Sequence, residues 1–405
     1  MASVLAWLDF SERDQRRARE LIQLFLQPES RDELGIGTVR DALSDLLFPG
    51  ISVIQTRARY FLFVPWLFKE GARRGRRGRE LLNWVDKWQR IHVETLRQSN
   101  AVDGLIGRVA GARVKILPST IYWNALLRFG ILRLDGSQEI IAAIDPQRRA
   151  SEEALREVTG LNESVWQRNL PDAPQGFPDV RELTFDLTPD EADWLSERIQ
   201  DTTDGTPLAW LASLNQAPTG EFPWGEPLFS GAPAAMKSLL LHAELFSLAM
   251  HGAALLYNLL LARRSGELGD ERAEALATDY EQAIEGWAEE VGLRQKALVG
   301  WDRSSMWGLA TGQNPGIKPQ TRSFIEAWCG SGVLNDPLMA LKDPGLGQLV
   351  ARREREQKRG QARLMNDRLM KQWGGASGSG RVIYRWDRVK TILGDIARGK
   401  ADALA

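Results

Sequence analysis

Asp41 and Asp45 stand four residues apart, with Arg40 and Ser44 beside them. On a helix that spacing puts both carboxylates on one face. Clustered carboxylates can hold divalent metals for phosphodiester cleavage, usually with a lysine nearby. The same residues can instead form a structural Arg–Asp network, because charges packed among apolar residues need partners. No nuclease-like run of acids closing on a lysine follows on a recognisable strand, so the network is the expectation and no metal site is. Gln55 and Thr56 extend the polar group. The expected structural network is thus Arg40, Asp41, Ser44, Asp45, Gln55 and Thr56.

A second chemistry is phosphate contact. Residues 57–79 hold eight Lys or Arg against one acid, Glu70. The run RRGRRGR at 73–79 interleaves charge with glycine, which lets backbone approach phosphates closely. Arg57, Arg59, Arg73, Arg74, Arg76 and Arg77 are therefore candidate DNA contacts. Residues 352–400 hold fourteen basic residues against five acids, and Arg363, Arg381 and Arg385 are candidates for a second contact zone. Residues 152–204 reverse the balance, with fourteen acids against four bases. Such asymmetry under a net charge of −1 is the footprint of a basic face offered to a polyanion. It also fits charge pairing between regions of one chain. GGASGSG (374–380), followed by RVIYRW, resembles a phosphate loop only superficially. It lacks the GK[ST] ending and a preceding strand, so nucleotide triphosphate hydrolysis is not expected.

Other reactive residues are few. His242 and His251 are separated by about 900° of helical rotation and face opposite ways, which argues against a shared metal. One cysteine, Cys329, excludes an intrachain disulfide and a Cys-based zinc site, and suits a reducing cytoplasm. MASVLAWLDFSERDQ reaches acids too soon for a signal peptide. The longest apolar stretch, Ala253 to Ala262, is interrupted by Asn258 and too short to span a bilayer. A cytoplasmic protein without membrane contact and without cofactor is expected. Fifteen tryptophans against five tyrosines is an unusual ratio. Trp7, Trp66, Trp84, Trp88, Trp123, Trp166, Trp194 and Trp210 fall mostly at core positions of the expected helices, where they anchor packing.

These groups need a scaffold, and the apolar spacing supplies a mainly α, multi-helix one in two regions with a few short strands. Helices are expected over 11–28, 33–47, 51–70, 77–99 and 121–129. Strands at 131–134 and 139–142, joined by Asp135-Gly136, would complete a winged-helix-like unit within an N-terminal region, 1–150. An acidic connector, 151–187, contains Pro171, Pro174 and Pro178. The C-terminal region, 188–405, opens at Thr188-Pro-Asp-Glu191, a capping sequence. It continues through a long loop (205–233) and helices over 234–264, 270–292 and 318–330. A strongly charged basic helix over 345–373 follows, then a flexible glycine hinge at 374–380, a short strand at 381–386 and a closing helix to Arg398.

The strings WLDFS (7–11), LGIGTVRDALSDLLFPGISVIQTRARYFLFVPW (34–66), LPSTIYWNALLRFGIL (117–132), HGAALLYNLLLA (251–262) and GRVIYRWDRV (380–389) resemble an uncharacterised bacterial family of unknown function. The resemblance spans most of the chain. It implies an antiviral setting by association, because members are encoded in defence islands beside helicases and phospholipase-D-like nucleases. It identifies no activity and carries over no catalytic residue.

The expected function is a non-enzymatic, DNA-contacting subunit of a bacterial anti-phage defence complex, partnered by other defence proteins such as a helicase or nuclease. Two alternatives stay open: a protein–protein scaffold without nucleic-acid contact, and a metal-dependent nuclease built on Asp41 and Asp45.

Overall fold

Caps, prolines and glycines set most of the helix boundaries. The protein is described by a computed structural model over residues 32–144 and 165–401, and fifteen α-helices lie among them. α1 (Gly37–Leu47) starts where the Asp32 carboxylate accepts the Ile36 and Gly37 N–H groups, each at 2.8 Å. α2 (Tyr60–Arg73), α3 (Gly78–Gln98), α4 (Pro118–Arg128) and α5 (Gln138–Ala143) complete the N-terminal half. α6 (Pro189–Thr202) opens with the expected capping box, Thr188 and Glu191 each accepting the other's backbone N–H. Then follow α7 (Pro207–Ser213), α8 (Ala234–Glu267), α9 (Ala273–Val299), α10 (Arg303–Gln313), α11 (Pro319–Gly330), α12 (Met339–Lys342), α13 (Pro344–Lys358), α14 (Asp367–Met370) and α15 (Trp386–Ala401).

α8 is apolar on every side, which requires it to be buried. At 34 residues it is about 50 Å long. By length and composition it could cross a membrane, but 83% of its most apolar window is covered by the rest of the protein. α9 folds back along it after a five-residue connection, 268–272. The two approach most closely at Gly252, where a Cβ would stand 2.2 Å from Trp287 Cζ2. Buried apolar residues form one continuous cluster from Leu34 to Ile396, including Leu170 and Leu183 of the expected connector.

The tryptophans act as two-ended anchors. Their rings fill the core and their N–H groups fasten loops or neighbouring helices. Trp66 donates to Pro171 O, Trp123 to Gly136 O, Trp386 to Gly220 O, and Trp287 and Trp328 to the α8 carbonyls of Leu248 and Ala249, all at 2.7–2.9 Å. Trp7 lies outside the described residues, as do the expected helix over 11–28 and residues 145–164.

Several expectations are corrected. The wing hairpin does not form. Its second strand, 139–142, lies in α5, because Ser137 caps the Ile140 N–H and Glu139 favours a first helical turn. Its first strand is reduced to an isolated antiparallel bridge between Leu132 and Trp166. Residues 51–59 are irregular, and α2 begins only at Tyr60, because the N–H groups of Thr56 and Arg57 go to the Tyr122 hydroxyl and that of Ala58 to Asp395. The long basic helix stops at Lys358, where Arg359 adopts φ 52°. The strand expected at 381–386 is a turn, with Tyr384 at φ 53° and Arg385 at φ 64°. The glycine segment 374–380 is pinned rather than a free hinge. Asn258 of α8 exchanges two hydrogen bonds with the Ser377 backbone, 2.7 and 2.9 Å, and Tyr280 of α9 donates to Gly375 O at 2.7 Å.

Candidate nucleic-acid interface

The sequence RRGRRGR sits at the turn between α2 and α3. Gly75 takes φ 79° and closes α2: its N–H bonds Ala72 O at 3.0 Å, and the Arg76 N–H reaches back to Gly71 O at 3.1 Å. This is the glycine-terminated helix stop that leaves a left-handed residue just past the end. α3 starts only three residues later and has no side-chain cap. The short reversal gathers Lys69, Arg73, Arg74, Arg76, Arg77 and Arg79 against two carboxylates, Glu70 and Glu80.

The arginines are held in place. Arg73, 74% exposed, binds Glu70 with two N–H groups at 2.7 and 2.8 Å. Arg74 binds the same carboxylate at 2.7 Å, and Arg76 binds Glu80 at 2.6 Å. The guanidiniums of Arg74 and Arg76 lie 5.7 and 6.0 Å from the Trp84 ring centroid, a cation–π arrangement. Arg77 donates to the carbonyls of Ala72 and Arg76 at 3.0 and 2.7 Å. The hydrogen bond from Arg73 holds the Glu70 carboxyl below the usual carboxylate range. A guanidinium has five donors, so an arginine paired to one carboxylate keeps N–H groups for a phosphate. Gly75 and Gly78 have open space where a Cβ would stand, so the turn's backbone is accessible.

The other five candidate arginines face inward. Their side chains are 9–17% exposed and each bonds a carboxylate distant in sequence. Arg57 Nε bonds Asp395 at 2.9 Å and its guanidinium lies over Phe185. Arg59 bonds Glu191 at 3.0 Å and Thr184 O at 3.2 Å. Arg363 bonds Glu33 at 2.8 Å. Burial alone would raise the Glu33 carboxyl, but Arg363 and Lys358 together hold it below the ordinary value. Arg381 bonds Glu290 at 2.5 Å and caps the stacked rings of Phe222 and Trp224. Arg385 bonds Asp45 and Ile51 O, both at 2.6 Å. Four of these pairs (the Arg381 pair excepted) tie residues 33–59 to partners between positions 191 and 395.

The polar group around Asp41 and Asp45 divides accordingly. Asp41 pairs with its neighbour Arg40 at 3.0 Å, whereas Asp45 faces Arg385. Ser44 donates to Arg40 O at 2.8 Å within α1. Gln55 closes the 50–55 turn by bonding Gly50 O and the Ser52 N–H. The Thr56 N–H reaches the Tyr122 hydroxyl at 2.8 Å. Each aspartate therefore has a cation of its own and the two carboxylates do not share a ligand. Among the described residues, no group of three or more His, Cys, Asp or Glu is placed to hold a metal ion. His242 accepts the Trp301 indole N–H at 3.1 Å.

Sequence reasoning missed Tyr122, Glu191 and Asp395. Tyr122 accepts the Thr56 and Arg57 N–H groups and donates to Arg57 O at 2.8 Å; burial pushes its hydroxyl up to about 12. Only LPSTIYW and the capping box gave a local signal for these residues, and neither pointed to residues 56–59.

No curated protein and no solved structure matches the chain. One family profile does, over residues 2–400, and it covers nearly the whole length. The chain therefore belongs to the family of unknown function DUF6361.

Proposed function

We propose that this protein is a non-enzymatic, DNA-contacting subunit of a bacterial anti-phage defence complex acting in the cytoplasm. The α2–α3 turn is the contact surface, and Arg73, Arg74, Arg76 and Arg77 meet phosphates. The observation that carries the reading is the concentration of six cations against two carboxylates at one short turn. Its glycines leave the backbone open, and its arginines are already ordered by Glu70, Glu80 and Trp84. Pre-ordered side chains lose less entropy on binding. Arg57, Arg59, Arg363, Arg381 and Arg385 act from behind as braces. The defence setting, with a helicase or nuclease as partner, follows from the resemblance to proteins encoded in defence islands.

The test is DNA binding by the purified chain across a salt series, with Arg73, Arg74, Arg76 and Arg77 changed to Ala in parallel. Affinity should fall with salt, and the log–log slope should drop by about one for each phosphate-contacting arginine removed. Absence of binding at low salt would sink the reading. A second reading, a protein scaffold, is favoured by one observation: Arg73, Arg74 and Arg76 already have carboxylate partners. Salt-sensitive binding to an acidic protein without any DNA shift would select it.

A further inference from the structure

Most arginines of this protein that the sequence singles out are paired with carboxylates. The solvent side of α13 is different. Arg352, Arg355 and Arg359 are exposed, and none has a carboxylate partner among the described residues. At about 100° per residue, Arg352 and Arg355 lie about 60° apart around the helix, and Arg359 follows directly after its last residue, Lys358. The opposite side of α13 is buried through Leu346, Val350, Arg353 and Glu354. One exposed carboxylate, Glu356, shares the basic face. Arg368 and Lys371, also exposed and without a carboxylate partner among the described residues, follow in α14 and just after it.

Arg359 adds a second, independent observation. It adopts φ 52° and ψ −122°, the first corner of a type II′ turn, which normally requires glycine. A residue with a Cβ is strained there, and such strain points to a role beyond the fold. Gly360 follows directly, so the chain carries a glycine one position from where the backbone would favour it.

We propose that this face of α13 is a second contact for a nucleic-acid backbone; it rests on the reading that the protein binds DNA. Arg352 and Arg359 stand seven positions apart, about 10 Å of rise along the helix axis. That is the axial length of about three phosphates of one strand. Arginine suits bidentate phosphate contact. Gln357, Gly360 and Gln361, also exposed, lie beside the arginines in sequence and supply no aromatic or aliphatic centre of the kind that a protein partner would need. Neither Arg363 nor Arg353 belongs to it: one holds Glu33, the other donates to Leu34 O and Gly35 O at 2.7 and 3.0 Å.

The experiment titrates a fluorescein-labelled random-sequence DNA duplex with the full chain over a salt series. Wild type is compared with R352Q/R355Q/R359G, with R359G alone, and with R73A/R74A/R76A. The α13 triple variant should lower the log–log salt slope by about three and R359G by about one. R359G should melt at the same or a higher temperature, since glycine relieves the turn, which separates lost contact from lost fold. An unchanged slope in the α13 variants, with weakened binding in the turn variant, overturns this proposal and leaves the DNA reading intact; an acidic protein as the true partner of the face gives the same result. Loss of binding in the α13 variants with none in the turn variant upholds this surface and removes the turn from the reading. Wild type that fails to bind DNA overturns both.

Discussion

Arg57 and Asp395 stand 338 positions apart and form an ion pair of 2.9 Å between the 51–59 loop and α15. The Asp395 side chain is 1% exposed. Besides Arg57 it accepts the Ala58 N–H at 2.9 Å, and Arg398 approaches its second oxygen. A buried carboxylate is costly unless its lone pairs are filled by donors, and here three donors fill them. The polar density of QTRAR (55–59) thus has a structural use. Arg57 holds α15, Arg59 holds Glu191 on α6, and Arg385 comes back from the far end to hold Asp45 and Ile51 O.

Removing one member of such a pair leaves the other charge stranded. Asp395→Ala should therefore destabilise the protein by about 3 kcal/mol or more. Asp395→Asn keeps an acceptor for the Ala58 N–H and should cost less. Urea denaturation of both variants checks this. Equal stability of Asp395→Ala and wild type would mean that the pair does not fasten the 51–59 loop to α15.

Helices were readable where the signals are local. Thr188-Pro-Asp-Glu191 caps α6 as expected, and the apolar run 234–264 lies within α8. The hairpin expectation fails although Ser137 and Glu139 signal a helix start, because Ile140, Ile141 and the Asp135-Gly136 turn suggest strands equally well. Arginine partners were not readable at all. Glu191, Asp395 and Glu33 lie 132, 338 and 330 positions from Arg59, Arg57 and Arg363, and nothing in a charge run shows which members find buried carboxylates. The basic turn is readable because its cations, carboxylates and glycines all lie within twelve residues, 69–80.

The α8–α9 contact depends on one absent side chain. A Cβ at Gly252 would meet Trp287 atoms at 2.2–2.5 Å, and Trp287 is itself fixed by its 2.8 Å bond to Leu248 O. Overpacking of a close-packed core costs about 1–3 kcal/mol. Gly252→Ala should lie at the upper end of that range in thermal or urea denaturation. A variant as stable as wild type would show that α9 can shift freely.

Glu70 orders the basic turn, and under the DNA-contact reading its charge would also oppose an incoming phosphate. Glu70→Gln keeps the shape, removes the charge and leaves Arg73 and Arg74 more of their donors. Under the DNA-contact reading it should tighten binding roughly threefold at low salt, less as salt rises. Weaker binding, measured by the same titration, would mean that the geometry Glu70 imposes outweighs the charge it contributes.

Asn258 closes the glycine loop onto α8. Its amide fills the Ser377 N–H and C=O, and both residues are buried. Asn258→Ala leaves those backbone groups unpaired, at a cost of about 2–3 kcal/mol. Limited proteolysis should then cut within 374–380 at protease levels that leave wild type whole. Resistance of the variant would show that Tyr280, through Gly375 O, suffices to hold the loop.

His92 sets an acid limit on the fold. It lies between Phe63, Trp88 and Phe177, with Nε2 2.9 Å from Pro178 O, where Nε2–H donates. Burial disfavours the imidazolium and lowers its pKa to about 4, against the partial opposition of the Pro178 bond. In the unfolded chain the ring titrates near its ordinary value of about 6.5. Between those values the unfolded state binds the proton and the folded state does not, so stability falls as pH drops through that window. The shift corresponds to about 3 kcal/mol lost between pH 6.5 and pH 4. His92→Gln retains a donor for Pro178 O and cannot titrate. It should be less stable than wild type at pH 7, where the aromatic packing is lost, yet lose less stability on acidification. Parallel slopes for the two proteins over that window would show that His92 takes up its proton in the folded state as readily as in the unfolded chain.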